Sequence, residues 1–212
     1  MRKPQSTGTF VLAAEIAGRL HRATKVAEQL SLTAKNAHAV SARAGQQASG
    51  FRAITSFIED LAVNTISQAS YISENAVSIA ALATNRERTA QALEHFENVE
   101  NGAADALYID SIQSPARAAR RALRHMDEDF TDRLLKLELQ LEETQQQIRA
   151  ASVISSTSKV EASQAGNFKP QLEVIAENIA VAAEEIKTYL QQARHLLSQA
   201  NESLRKNRYR EY

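Results

Sequence analysis

Apolar residues return along this chain in steps that alternate between four and three. The first such run is Ile16, Leu20, Ala23, Ala27, Leu30, Ala34, Ala37, Ser41 and Ala44. This spacing keeps one stripe of a helix facing a partner helix and predicts a coiled coil. A second run, Phe51, Ile54, Ile58, Leu61, Thr65, Gln68 and Ile72, carries two polar members and predicts a looser layer around Thr65 and Gln68. The third run is Phe130, Leu134, Leu137, Leu141, Thr144, Ile148, Ala151, Ser155, Ser158, Ala162 and Ala165. Its helix is expected to open at Ser114-Pro115, since serine caps helix N-termini and proline suits the first helical position. The fourth run is Leu172, Ile175, Ile179, Ala182, Ile186, Tyr189, Ala193, Leu196 and Ala200. Breaks fall at 45–50, 101–114 and 166–170, where glycine or proline interrupts the pattern. Each helix is then a rod of about 55 to 75 Å at 1.5 Å per residue.

Composition supports helices and narrows the chemistry. Only three prolines and six glycines punctuate 212 residues, and strand-like alternation is scarce. The 25 basic and 25 acidic residues balance, so no global charge argues for nucleic acid. Cysteine is absent, which excludes a disulfide framework and a zinc-thiolate site and suits a reducing compartment. No apolar run approaches the roughly 18 residues a membrane span needs, and the first ten residues do not resemble a secretory signal. A cytoplasmic setting is expected.

One stretch carries a resemblance. Asn36 lies nine residues before Gly45, Arg43-Ala44-Gly45 closes the first helix, Gly50-Phe51 opens the second, and Leu61-Ala62 follows ten residues after Phe51. This resembles the hairpin tip of the cytoplasmic signalling domain of bacterial methyl-accepting chemotaxis proteins. The resemblance implies a tip that binds the chemotaxis histidine kinase and its coupling protein and packs against other chemoreceptors. The residues it nominates are Asn36, Arg43, Gly45, Gly50, Phe51 and Ile54. The chain departs from the family pattern where a glutamate is replaced by Val40.

The turn recurs. Val160-Glu161-Ala162-Ser163-Gln164-Ala165-Gly166 resembles the family's descending arm, and an offset of 121 positions lays Gly45 on Gly166 and each pair of seams on the other. Glu161 and Gly166 join the candidate tip residues on this basis. The repeat predicts an old duplication: a first hairpin over 1–100, a connection over 101–114 and a second, degenerate hairpin over 115–212. Chemoreceptor signalling domains are dimers of such hairpins. Two hairpins in one chain are therefore expected to build a long antiparallel four-helix coiled-coil bundle alone, an all-α monomeric mimic of that dimer. The alternative is that each hairpin pairs with another chain. In the single-chain arrangement both tips share one end, and Arg43 could pair with Glu161 across it.

Nothing in the sequence marks an enzyme. The five histidines are scattered, and no phosphate loop, nucleophile elbow or metal-ligand spacing occurs. No cofactor or metal is expected; His125 with Glu128 and Asp129 reads as a solvated charge cluster. Family-like methylation would fall on the acidic pairs Glu28-Gln29, Glu142-Glu143 and Glu184-Glu185. Arg117, Arg120, Arg121 and Arg124, followed by Asp127, Glu128 and Asp129, suggest either helix-surface ion pairs or contact with an acidic partner. The basic end from Arg205 to Tyr212 carries two tyrosines three apart and reads as a solvated helix end or a docking peptide. The sequence thus points to a non-catalytic binding protein of a chemotaxis-type pathway. Beside it stand a helical scaffold of an assembly or secretion factor, and a small-molecule sensor with a pocket near Thr65 and Gln68.

Overall fold

The computed structural model describes residues 5–102 and 109–208, with side chains over 11–102, 109–151 and 153–199. The tyrosine pair Tyr209 and Tyr212 and the seam position Ala200 lie outside the described side chains. The fold is all-α. The described residues form four long helices and no strand: α1 (Gln5–Ala44), α2 (Ser49–Gly102), α3 (Asp110–Ser163) and α4 (Lys169–Arg208). They hold 40, 54, 54 and 40 residues, about 60 to 81 Å each at 1.5 Å per residue. Short 3-10 segments, Gly45–Ala48 and Gly166–Phe168, join α1 to α2 and α3 to α4. No helix among the described residues is long and apolar enough to cross a membrane.

Each helix packs along two others: α1 along α2 and α4, and α3 along the same two. The seams of α1 and α3 are buried at the expected residues, from Ile16 to Ala44 and from Phe130 to Ala165. Those of α2 and α4 need a correction. Their buried positions are Phe51, Thr55, Ile58, Leu61, Ala62, Thr65, Ala69 and Ile72, and Leu172, Ala176, Ile179, Ala183, Ile186, Leu190 and Ala193. In α4 the alternate members fall one residue later than the apolar pattern suggested; in α2 Thr55 stands in for Ile54 and Ala69 for Gln68, while Leu61 is buried as expected beside Ala62. Ile54, Ile175, Ala182, Tyr189 and Leu196 are half-buried beside the seam, and Gln68 stands outside it. The reason is packing distance. Where Thr55 replaces Ile54 and Ala176 replaces Ile175, the smaller residue sits between the helices and the bulkier neighbour covers the edge of the seam.

The start of α3 also differs. The helix begins at Asp110 with Ile109 as its cap, so Ser114 is not the N-cap and Pro115 lies inside. The missing proline N–H falls in the second turn, where it interrupts a single bond of a 54-residue helix and the helix carries through. The connection is accordingly shorter than 101–114, with α2 helical to Gly102.

The offset of 121 positions extends to burial. Leu20 and Leu141, Ala27 and Ile148, Ala34 and Ser155, Ser41 and Ala162, Thr55 and Ala176, Ala62 and Ala183, and Ile72 and Ala193 are all buried. The match breaks next to the turns, where Ala48 is buried and its counterpart Lys169 is exposed. Away from the turns the seam becomes polar. Arg86, Glu97, Glu100, Arg120 and Asp127 occupy positions in phase with it and pair between α2 and α3: Arg86 with Asp127, and Arg120 with Glu97 at 2.9 Å and Glu100 at 3.9 Å.

Candidate functional site at the hairpin tips

A small core of its own closes the end where the two turns lie. Ala37, Ala44, Ala48 and Phe51 from the first hairpin meet Ala162, Ala165, Leu172 and Ala176 from the second, with Val40, Phe168 and Ile175 packed on the outside. The small residues let the helices converge, and Phe51 and Leu172 fill the space left between them, both fully buried. Phe51 is thus a plug of the bundle end rather than an exposed anchor.

Each turn is made by a glycine in the left-handed region, Gly45 with φ of 65° and Gly166 with φ of 55°, where a side chain would strain the backbone. The second turn is tied by Gln164 N donating to Glu161 O at 3.2 Å and Phe168 N donating to Ala165 O at 3.0 Å.

The tips interlock. The Glu161 carboxylate lies over Gly50, where a Cβ would overlap it, and Gln47 lies over Gly166, its Oε1 2.7 Å from where a Cβ would stand. Glu161 therefore occupies the space beside the first turn of α2 that a side chain at Gly50 would need. The expected Arg43–Glu161 pair does not form among the described residues. Glu161 turns to the α2–α3 side, whereas Arg43 stands exposed on α1 with no ion pair to a described residue. Arg52 spans the first hairpin, its Nη2 donating to the Ser41 carbonyl at 3.4 Å, while its Nε is buried without a partner.

The eight nominated residues consequently divide. Asn36 and Arg43 are exposed on α1, on the flank opposite Lys35, whose ammonium approaches Glu59 of α2 at 3.8 Å. That flank faces α4. Gly50, Ile54 and Glu161 sit together on the α2–α3 side, Ile54 half-buried against the main core. Phe51 is interior, and Gly45 and Gly166 are backbone turns. The sequence did not single out Gln47, Arg52 or Phe168. Gln47 and Phe168 are offset counterparts of unlike chemistry, so comparing the repeats gave no signal for either.

The acidic pairs are accessible apart from Glu142, which is half-buried. Glu28 pairs with Lys25 and Glu184 with Lys187, both at 2.9 Å. Thr65 is buried with its hydroxyl donating to the Leu61 carbonyl at 2.8 Å, so that hydroxyl is satisfied along its own helix. Two open depressions lie elsewhere, one at Ser155, Lys159, Ala180 and Glu184, the other at Val181, Thr188, Tyr189 and Gln192. No group of three or more histidine, aspartate or glutamate side chains among the described residues is placed to hold a metal ion. No protein-family model, curated protein or solved structure matches this chain.

Proposed function

We propose that the chain is a non-catalytic, chemoreceptor-like binding protein of the cytoplasm. In this reading its two tandem hairpins form one antiparallel four-helix bundle, a single-chain counterpart of a receptor dimer. The tip engages a chemotaxis-type histidine kinase and its coupling protein. The carrying observation is the exposed pair Asn36 and Arg43 beside a closed tip in which both turn glycines adopt the left-handed conformation. The ring of helix contacts and the burial repeat at 121 positions support the single-chain bundle.

The two sides of the tip are unlike, which bears on stoichiometry. The α1–α4 side offers Asn36, Arg43, Val40 and Phe168; on the α2–α3 side, Glu161 is already folded onto Gly50. The kinase or coupling protein then binds the α1–α4 side, one per chain. The test is a pull-down of purified protein against the host's chemotaxis kinase and coupling protein, with Arg43→Glu and Asn36→Ala as variants. Both positions are exposed, so circular dichroism should be unchanged. Binding at one partner per chain, lost in the variants, supports the reading; no binding by the native chain sinks it.

A second reading has its own observation. Phe51, Ile54 and Glu161 are all spent on contacts inside the protein, as suits a helical scaffold that keeps the fold without the kinase contacts. A scaffold tolerates Arg43→Glu in the cell and fails only when core residues such as Leu137 or Ile179 are changed.

A further inference from the structure

Arg117, Arg121 and Arg124 recur at steps of four and three and make one stripe along α3. All three are exposed and make no ion pair among the described residues, whereas Arg120, one face over, is held by Glu97 and Glu100. Continued at the same phase, the stripe runs through Gln145 and Lys159. There the flank packs on α4: Gln145 Oε1 accepts from Arg194 Nη1 at 3.1 Å, and Lys159 pairs with Glu177 at 2.5 Å. At 117–124 the same flank is open to solvent. Alongside it, Leu123 of α3 and Leu93 of α2 hold positions in phase with the seam yet are only half-buried.

We propose that this flank docks an acidic amphipathic helix from a partner protein, its apolar stripe on Leu93 and Leu123 and its carboxylates on the three arginines. Charge decides the occupant. Three guanidiniums over seven residues of helix, about 10 Å, match two turns of a partner helix with glutamates at the same steps. A nucleic acid fits poorly. A duplex carries a charge about every 1.7 Å, roughly six over the length of the stripe, twice what three arginines can neutralise. This surface is independent of the tip and stands or falls apart from kinase binding.

The test is fluorescence anisotropy with three labelled probes: a designed peptide with leucine at its seam and glutamate on its flanks, the same peptide with lysine for glutamate, and a DNA duplex. The native chain should bind the acidic peptide alone, and more weakly at higher salt. Arg117→Glu, Arg121→Glu and Arg124→Glu together should weaken binding at least about tenfold, and the three glutamine changes by less, with unchanged circular dichroism. Arg43→Glu should have no effect. Failure to bind the acidic peptide, equal binding by the triple glutamate variant, or tighter binding of the duplex would overturn the proposal. So would sedimentation showing a dimer that the triple variant disperses, which would make a second copy the occupant.

Discussion

Gly45 and Gly166 share a dihedral angle and differ in surroundings, which separates two costs of replacing them. A Cβ at Gly45 would meet nothing within 4 Å, so Gly45→Ala carries only the left-handed penalty of about 1–2 kcal/mol. At Gly166 the same penalty is joined by displacement of Gln47. Urea denaturation should therefore show Gly166→Ala as the more destabilising change, and adding Gln47→Ala should remove the excess. Asp129 offers a second residue-scale test. Its carboxyl accepts from Arg133 Nε at 2.8 Å, and this hydrogen bond holds its pKa below the ordinary 3.8. A lowered carboxylate pKa adds stability above the unfolded value, which is lost as pH falls through the folded one. The effect is small, because the pair is solvent-exposed. Carboxyl NMR should place the Asp129 midpoint below 3.8, and Arg133→Gln should move it back up.

Among the elements, α2 and α4 test the seam. Their phase was legible at every other position, through Phe51, Ile58, Thr65 and Ile72 and through Leu172, Ile179, Ile186 and Ala193. Leu61, between them, was also read correctly, whereas Ile54 and Gln68 were misread because they look as eligible as Thr55 and Ala69 when neighbours in space are unknown. Burial settles the matter with a prediction. Ala69 is fully buried, so Ala69→Gln should destabilise by about 1–3 kcal/mol in thermal or urea melts, through overpacking and an unpaired amide. Gln68→Ala should change stability by less than about 0.5 kcal/mol. The opposite order would restore the phase read from apolarity. The start of α3 was misread for a related reason. Ser-Pro is a good opening signal locally, but here the helix is already under way from Asp110.

At the scale of the molecule, the buried positions of one hairpin predict those of the other. The repeat is therefore a property of packing more than of sequence identity. If a single chain completes the bundle, sedimentation equilibrium should return a monomer near 23.3 kDa with high helicity, and Ile179→Asp should unfold both hairpins together. Independent melting of one hairpin would show that the two do not share a core.

Periodicity, the scarcity of glycine and proline, and the positions of Gly45 and Gly166 determined by themselves that this is a chain of long helices with two tight turns. These are local properties, set by steps along one helix and by which residue tolerates a positive φ. Tertiary structure decided which of two adjacent residues enters the seam, because that depends on how closely the helices approach. It also decided that Glu161 folds onto Gly50 instead of reaching Arg43, and that, among the described residues, Arg120 is paired while Arg117, Arg121 and Arg124 are not. Each of those outcomes turns on which helix stands opposite, and at what height, and a periodic sequence holds neither.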